Sequence, residues 1–173
     1  MGVHVAFLRA INVGNRRVSM ERLRKPLEDL GFDDVSTFIA SGNVVFSTTE
    51  KAATVEAEVE SALSEALGFQ VVAFVRTASG IGRVVHGQPF SGADDSVHVG
   101  FLKKAATAPV KRALADLGND VDTVTAQGRE VYWLASAGMG RARVSGSLLE
   151  KTLGQATTLR SLKMLKRLHA KVR

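Results

Sequence analysis

Two stretches of this 173-residue chain are nearly identical, and that repetition limits the folds that the chain can adopt. Residues 3–10 read VHVAFLRA and residues 97–105 read VHVGFLKKA, and both have the alternation of a β-strand. Each is followed by a helical segment ending in Asp-Leu-Gly, at 29–31 and 116–118, and then by a glycine turn, at Gly42 and Gly128. The repetition therefore predicts two related halves.

The first half has the pattern strand, helix, strand, strand, helix, strand. Ser19 is expected to cap a helix that runs to Leu30, and Gly68 to end the second helix. This β-α-β-β-α-β order is that of a ferredoxin-like unit. We therefore expect an α+β protein of two tandem related ferredoxin-like halves, residues 1–77 and 97–173, joined by a linking helix and loop over 78–96.

The second half is expected to end in an amphipathic helix over roughly residues 158–172. Ser147 and Glu150 have the spacing of a capping box for a shorter helix before it. The basic face of the last helix has two interpretations. It is a solvated face of a helix docked on the sheet, or it is a surface for nucleic acid, a membrane or a protein partner.

Composition restricts the classes of function. The chain has no cysteine, which excludes disulfides and thiolate sites, and no apolar run reaches the roughly 20 residues that span a bilayer. We therefore expect a cytoplasmic protein. The net charge of +6 and the pI of about 10 favour anionic partners such as nucleic acid or phosphorylated small molecules.

The loop after the first strand is the main difference between the two halves. It reads INVGNRRVSM at residues 11–20 and is seven residues longer than its counterpart. A right-handed crossover makes the first two strands parallel, so this loop should lie beside the turn at 41–43. The expected ligand-binding residues at this corner are Arg9, Asn12, Gly14, Arg16, Arg17, Ser41, Gly42 and Asn43.

Arginine forks, glycines and a helix N-terminus are typical of an anion site. The alternative is that the polar residues only brace two loops through side-chain-to-backbone hydrogen bonds. Secondary basic candidates are Arg141 and Arg143, in a glycine-rich turn, and Arg160. The turn lacks the third glycine of a dinucleotide fingerprint, and a plain basic turn is the other interpretation.

No catalytic signature is present. The four histidines, at positions 4, 86, 98 and 169, do not have metal-ligand spacing, and we predict no metal site and no cofactor. The best hypothesis is a protein that binds a phosphate-bearing ligand or nucleic acid at the basic corner. The alternatives are an enzyme acting on a small phosphorylated substrate and a protein-interaction module using the basic C-terminal helix.

The chain also resembles an uncharacterised bacterial family, domain of unknown function 1697. The resemblance rests on AFLRAINVGNRRVSM and LGFDDVSTFIASGNVVFS, which are similar to the family's FLRGINVGG and GF-DV-TY-QSGNV segments. The family's Gly-Arg-Ser-Lys turn reads Gly140-Arg141-Ala142-Arg143 here, and of its Arg-Asn-Trp-Asn motif only Arg160 is kept. The resemblance implies an α+β fold of two related halves and no particular activity.

Overall fold

A computed structural model describes residues 1–12, 14–39 and 42–173 of the chain. The chain forms two compact units. The first comprises Met1–Ile81 together with Val172–Arg173, and the second comprises Gly82–Lys171. Within the described residues, no helix is both long enough and apolar enough to cross a membrane.

The described part of the first unit contains four strands and two complete helices. They are β1 (Gly2–Arg9), α1 (Met20–Asp29), β2 (Asp33–Thr37), β3 (Asn43–Thr48), α2 (Ala52–Leu67) and β4 (Val72–Thr77), and α3 (Ala78–His86) follows. The expected caps are confirmed, since the Ser19 hydroxyl accepts from the Arg22 N–H and Gly68 ends α2 in the left-handed conformation.

The second unit repeats this order after a short 3₁₀ turn at Asp94–Ser96. Its elements are β5 (Val97–Phe101), α4 (Ala108–Ala115), β6 (Asp122–Gln127), β7 (Glu130–Ala135), α5 (Gly146–Leu153), β8 (Thr158–Ser161) and α6 (Leu162–Val172). The expectation of an α+β protein with two similar halves is therefore confirmed.

Each unit has one four-stranded antiparallel sheet, ordered β2-β3-β1-β4 in the first and β6-β7-β5-β8 in the second. The repeated histidines hold equivalent register positions, because His4 is opposite Phe46 and His98 is opposite Trp133. The valines that follow them also correspond, because Val5 is opposite Arg76 and Val99 is opposite Arg160. The near-identical strands are thus the central scaffold of both sheets.

A separate apolar core lies between the helices and the sheet of each unit. In the first, Leu23 and Leu27 of α1 and Val55 and Val59 of α2 pack on β-strand residues such as Phe46. In the second, the core includes Trp133, which is 1% exposed. The helical spacing of the buried leucines and valines is what the sequence pattern predicts.

Two local expectations for the second half are wrong. Residues 158–161 form β8, which pairs with β5, and the last helix begins only at Leu162. The N-cap of α5 is Ser145 rather than Ser147, because the Ser145 hydroxyl accepts from the Leu148 N–H. Glu150 accepts instead from the Thr157 N–H, at 3.1 Å, so tertiary pairing replaces the expected capping box.

Candidate functional site

The loop after β1 and the β2–β3 hairpin are in direct contact at Gly42. The Leu8 N–H donates to the Gly42 carbonyl at 2.8 Å. A Cβ atom at Gly42 would lie 3.2 Å from the Leu8 Cβ and 3.3 Å from the Ile11 Cβ, and the φ angle there is +75°. Only glycine fits this backbone without strain. We call this junction of residues 8–19 with residues 38–43 the basic corner.

The basic corner has a concentration of left-handed backbone conformations. Ala10, Asn12 and Gly14 have φ angles of 57°, 59° and 62°, and Ile39 across the corner has a φ of 47°. Such angles are uncommon outside glycine and are unusual for a β-branched residue. Ile11, between two of them, has no positive φ, so the sign of φ alternates along residues 10–12.

The two asparagines of the corner hold the loops in place. The Asn12 Oδ1 accepts from the Val18 N–H at 2.7 Å, which closes the loop on itself. Asn43 is fully buried, and its Nδ2 donates to the Phe38 carbonyl at 3.0 Å. These contacts are the bracing role that was the alternative interpretation for polar residues here.

The arginines differ in how they are held. The guanidinium carbon of Arg16 lies 4.6 Å from the centre of the Phe69 ring, a cation–π contact with the turn after α2. Arg17 is exposed and Arg9, at the end of β1, is half-buried. Ser41 lies outside the described residues. Phe69 was not among the residues expected at the site, because no local pattern relates position 69 to the loop.

The second unit ties the equivalent loop by different chemistry. The Lys104 N–H donates to the Gln155 Oε1 at 3.1 Å, and the Gln155 Nε2 donates to the Lys104 carbonyl at 2.9 Å. Gln155 follows Gly154 as Phe69 follows Gly68, so both loops are held by the turn after the second helix of their own unit. In the first unit this tie holds the side chain of Arg16, whereas the contacts of Gln155 in the second unit are with the backbone of Lys104.

A surface groove of about 380 Å³ runs along α1 beside its N-cap. Its lining residues are Ser19, Glu21, Arg22, Lys25, Pro26, Asp29 and Ala66. The Lys25 ammonium pairs with the Asp29 carboxylate at 3.2 Å, and Glu21 offsets the charge of Arg22. The groove therefore has balanced charge and does not by itself select anions.

The secondary basic candidates do not converge on one site. The exposed Arg143 guanidinium pairs with the Asp120 carboxylate at 2.7 Å, and Arg141 is exposed on the turn before α5. The Arg160 Nη1 donates to the Thr158 hydroxyl at 2.7 Å and the Leu159 carbonyl at 2.8 Å. Burial lowers the pKa of Arg160 to about 10.

A buried carboxylate, that of Asp122, organises the part of the second unit around Arg143, and sequence analysis did not predict its role. Asp122 is 1% exposed, and its Oδ1 accepts from the Trp133 indole N–H at 2.9 Å. Its Oδ2 accepts from the Arg143 N–H at 2.7 Å, the Val144 N–H at 3.0 Å and the Asn119 Nδ2 at 3.0 Å. Burial alone would raise the pKa of Asp122, but these donors hold it below its ordinary value.

Part of the basic face of α6 is engaged within its own unit. The Lys163 ammonium pairs with Asp95 at 3.2 Å, and that of Lys166 pairs with Asp94. Both aspartates lie on the 3₁₀ turn before β5. The described residues contain no cluster of three or more side chains able to hold a metal ion.

Comparison with known proteins identifies the family. Residues 1–132 match the family described as Protein of unknown function (DUF1697). The chain belongs to this family. The residues that match the DUF1697 family include the whole basic corner. The match ends within β7, before Trp133, Arg141, Arg143 and Arg160. No curated protein matches this DUF1697 chain.

A solved structure has the same fold as this DUF1697 protein. It is that of conserved bacterial protein SP0830 from Streptococcus pneumoniae, which is 18% identical and has a TM-score of 0.75. The match covers 99% of each chain. The architecture is therefore that of a known bacterial protein over the full length, and the biochemical function is unknown.

Proposed function

We propose that this DUF1697 protein binds a phosphate-bearing ligand at the basic corner, either a small phosphorylated molecule or the backbone of a nucleic acid. The observation that carries the proposal is the guanidinium carbon of Arg16, which lies 4.6 Å over the centre of the Phe69 ring. We also propose that each unit is ferredoxin-like, because the antiparallel order β4-β1-β3-β2 with two helices on one face fits that topology.

The contact with Phe69 prepares Arg16 for an anion. A guanidinium held over an aromatic ring uses none of its N–H donors in that contact, so its donors remain available to an anion. The contact also reduces the side-chain freedom that would be lost when a ligand binds. A planar, oriented fork matches two oxygens of one phosphate group.

The backbone and the other arginines extend the same chemistry. Alternation in the sign of φ at Ala10, Ile11 and Asn12 favours a concave set of N–H groups. Arg9 precedes this loop, Arg17 lies within it, and both add positive charge. In this proposal Asn12, Gly42 and Asn43 position the loops, while Arg16 contacts the anion.

The experiment is a calorimetric titration of the full chain with inorganic phosphate, a nucleoside triphosphate and a short single-stranded oligonucleotide. Arg16→Ala should lose about tenfold or more in affinity, the equivalent of one charge-assisted hydrogen bond of roughly 1.5–3 kcal/mol. The matched control is Arg24→Ala, which removes one arginine of an exposed i,i+4 pair with Glu28 on α1. Equal losses in both variants would reduce the site to general positive charge and refute the proposal.

Two further arms sharpen the result. Phe69→Leu keeps the charge of Arg16 but removes its platform, so we expect weaker binding with Arg16 still present. A salt series separates the sources of the phosphate, because affinity for an oligonucleotide should fall steeply as salt rises. Binding of none of the three probes would refute the proposal. Among the described residues no observation favours the enzyme or the C-terminal interaction module.

A further inference from the structure

The two sheets have four edge strands, and the β4 edge is closed by side chains of α2. The Val71 N–H donates to the Ser64 hydroxyl at 2.8 Å, the Ala73 N–H to the Glu60 Oε1 at 2.9 Å, and the Val75 N–H to the Glu56 Oε2 at 2.7 Å. Four residues of a helix rise about 6 Å and two residues of a strand about 6.8 Å. Every fourth side chain of α2 therefore meets every second N–H group along the β4 edge. No further strand can pair there without breaking these bonds.

The β2 edge and the β8 edge are also protected. The pairing of β2 shifts between Asp33 and Ser36, and Asp34 has a φ of 53°. A bulge and two adjacent aspartates are common devices against edge-to-edge pairing. β8 has only four residues before α6 begins. The N–H of Thr157, the residue before β8, donates to the Glu150 carboxylate.

Beyond Asp122, the β6 edge lacks these devices. Its pairing with β7 is continuous from Asp122 to Gln127. Residues 123–127 read TVTAQ, with no charge, proline or glycine. β6 occupies the same position in its sheet as the bulged β2 does in the other. One chain therefore contains a protected and an unprotected version of the same edge.

The hydrogen-bond pattern identifies which backbone groups face outward. The Ser136 N–H donates to the Val121 carbonyl, so Val121 and every second residue after it bond to β7. Asp122, Val124 and Ala126 then direct their N–H and C=O groups to the open edge. The Asp122 N–H already donates to the Asn119 Oδ1 at 3.1 Å, and the Asp122 carbonyl already accepts from the Asn119 N–H at 2.9 Å.

We propose that β6 pairs antiparallel with β6 of a second copy of this chain, forming a two-fold dimer with a continuous eight-stranded sheet. The register follows from the outward groups. In this register Val124 of each copy lies opposite Ala126 of the other copy. The pairing uses the N–H and C=O groups of both Val124 and Ala126, which are four groups in each chain. Any shift in that register leaves some of them unpaired or competes with Asn119.

Charge is compatible with self-association at this edge. Two molecules that each carry a net charge of +6 repel unless the contact is locally neutral. Residues 123–127 are neutral, the Asp120 carboxylate before them pairs with Arg143, and Arg129 after them is followed by Glu130. The partner this edge fits is a neutral strand such as itself, and not a polyanion.

The absence of cysteine allows a direct test of the register. Thr125 would face Thr125 of the second copy in a non-hydrogen-bonded pair, where Cα atoms are about 4.5 Å apart and a disulfide fits. Thr125→Cys should therefore give a disulfide-linked dimer under mild oxidation. The matched control is Thr123→Cys on the same face, whose equivalent lies about 13 Å away along the strand and should remain monomeric.

Sedimentation of the unmodified chain supports or overturns the proposal independently. An interface of one strand pair is small, and contacts below about 1,200 Å² are typical of weak association, so the series must reach high protein concentrations. We expect a reversible dimer that Thr125→Lys abolishes and that Ser36→Lys, on the bulged β2, leaves unchanged. A chain that stays monomeric throughout, a dimer that persists in Thr125→Lys, or equal cross-linking at positions 123 and 125 would overturn the proposal.

Discussion

Replacing Asp122 by asparagine should destabilise the second unit far more than its conservative size suggests. The carboxylate accepts four hydrogen bonds, from the Trp133 indole, the Arg143 and Val144 backbone and the Asn119 side chain. Asparagine offers one accepting oxygen and one donating NH₂ group. If the oxygen faces the two backbone N–H groups, the NH₂ group meets the indole N–H, and one buried donor loses its acceptor.

The expected loss follows from this count. A buried donor without a partner costs about 1–3 kcal/mol, and the remaining hydrogen bonds lose the strengthening that a charged acceptor gives. The charge no longer has to be desolvated, which offsets part of the loss. We therefore expect the free energy of unfolding to fall by roughly 2–4 kcal/mol, which for a chain of this length lowers Tm by on the order of 10 °C.

Urea unfolding followed by far-ultraviolet circular dichroism measures this loss. Fluorescence of the single tryptophan is unsuitable alone, because Trp133 is itself a partner of Asp122. The matched control is Asp120→Asn, two residues away, whose ion pair with Arg143 is about two-thirds exposed and should contribute less than about 1 kcal/mol. If both variants lose the same small amount, the buried carboxylate does not organise this unit.

The same site predicts a pH dependence. The pKa of Asp122 in the folded protein lies below its ordinary value of 3.8, so the folded state binds this proton less readily than the unfolded state does. The stabilisation is therefore present above pH 3.8 and is lost as pH falls through the lower, folded pKa. The Asp122→Asn variant should lack this part of the acid sensitivity.

Two other predictions test different parts of the structure. Ile39 has a φ of 47° and is 43% exposed, so Ile39→Asn should raise the free energy of unfolding by about 0.5–1 kcal/mol, whereas the β-branched control Ile39→Val should not. An asparagine variant less stable than the valine variant would contradict the strain at this position. Burial, with a smaller effect of Glu130, raises the pKa of Tyr132 to about 12. Because Tyr132 is the single tyrosine, its absorbance should titrate near that pH in the folded protein and near pH 10 in denaturant, and a folded midpoint near 10 would show an accessible phenol.

Local patterns predicted much of the secondary structure. Helical spacing and capping residues placed α1 with its Ser19 cap, and the end of α2 at Gly68. The same reasoning extended the last helix back to residue 158, because the pattern alone does not distinguish helix from strand in the short segment TLRS. Pairing with β5, more than 50 residues earlier, made that segment a strand.

The candidate site divides in the same way. The longer loop and its arginines were visible as a difference between two copies, and the crossover rule brought the loop to the hairpin at Gly42. Which arginine has an aromatic platform was not visible, because Phe69 follows a separate helix. The bracing of Asn43 by the Phe38 carbonyl required the actual hairpin geometry.

The sequence by itself determined the two related halves, the order of their elements and the place where they differ, because repetition and periodicity are properties of neighbouring residues. Tertiary structure alone decided which polar groups are satisfied. The carboxylate of Asp122 finds donors up to 22 residues away, and the glutamates of α2 close the β4 edge while β6 remains open. Such pairings depend on the distance between elements after packing, which no local pattern encodes.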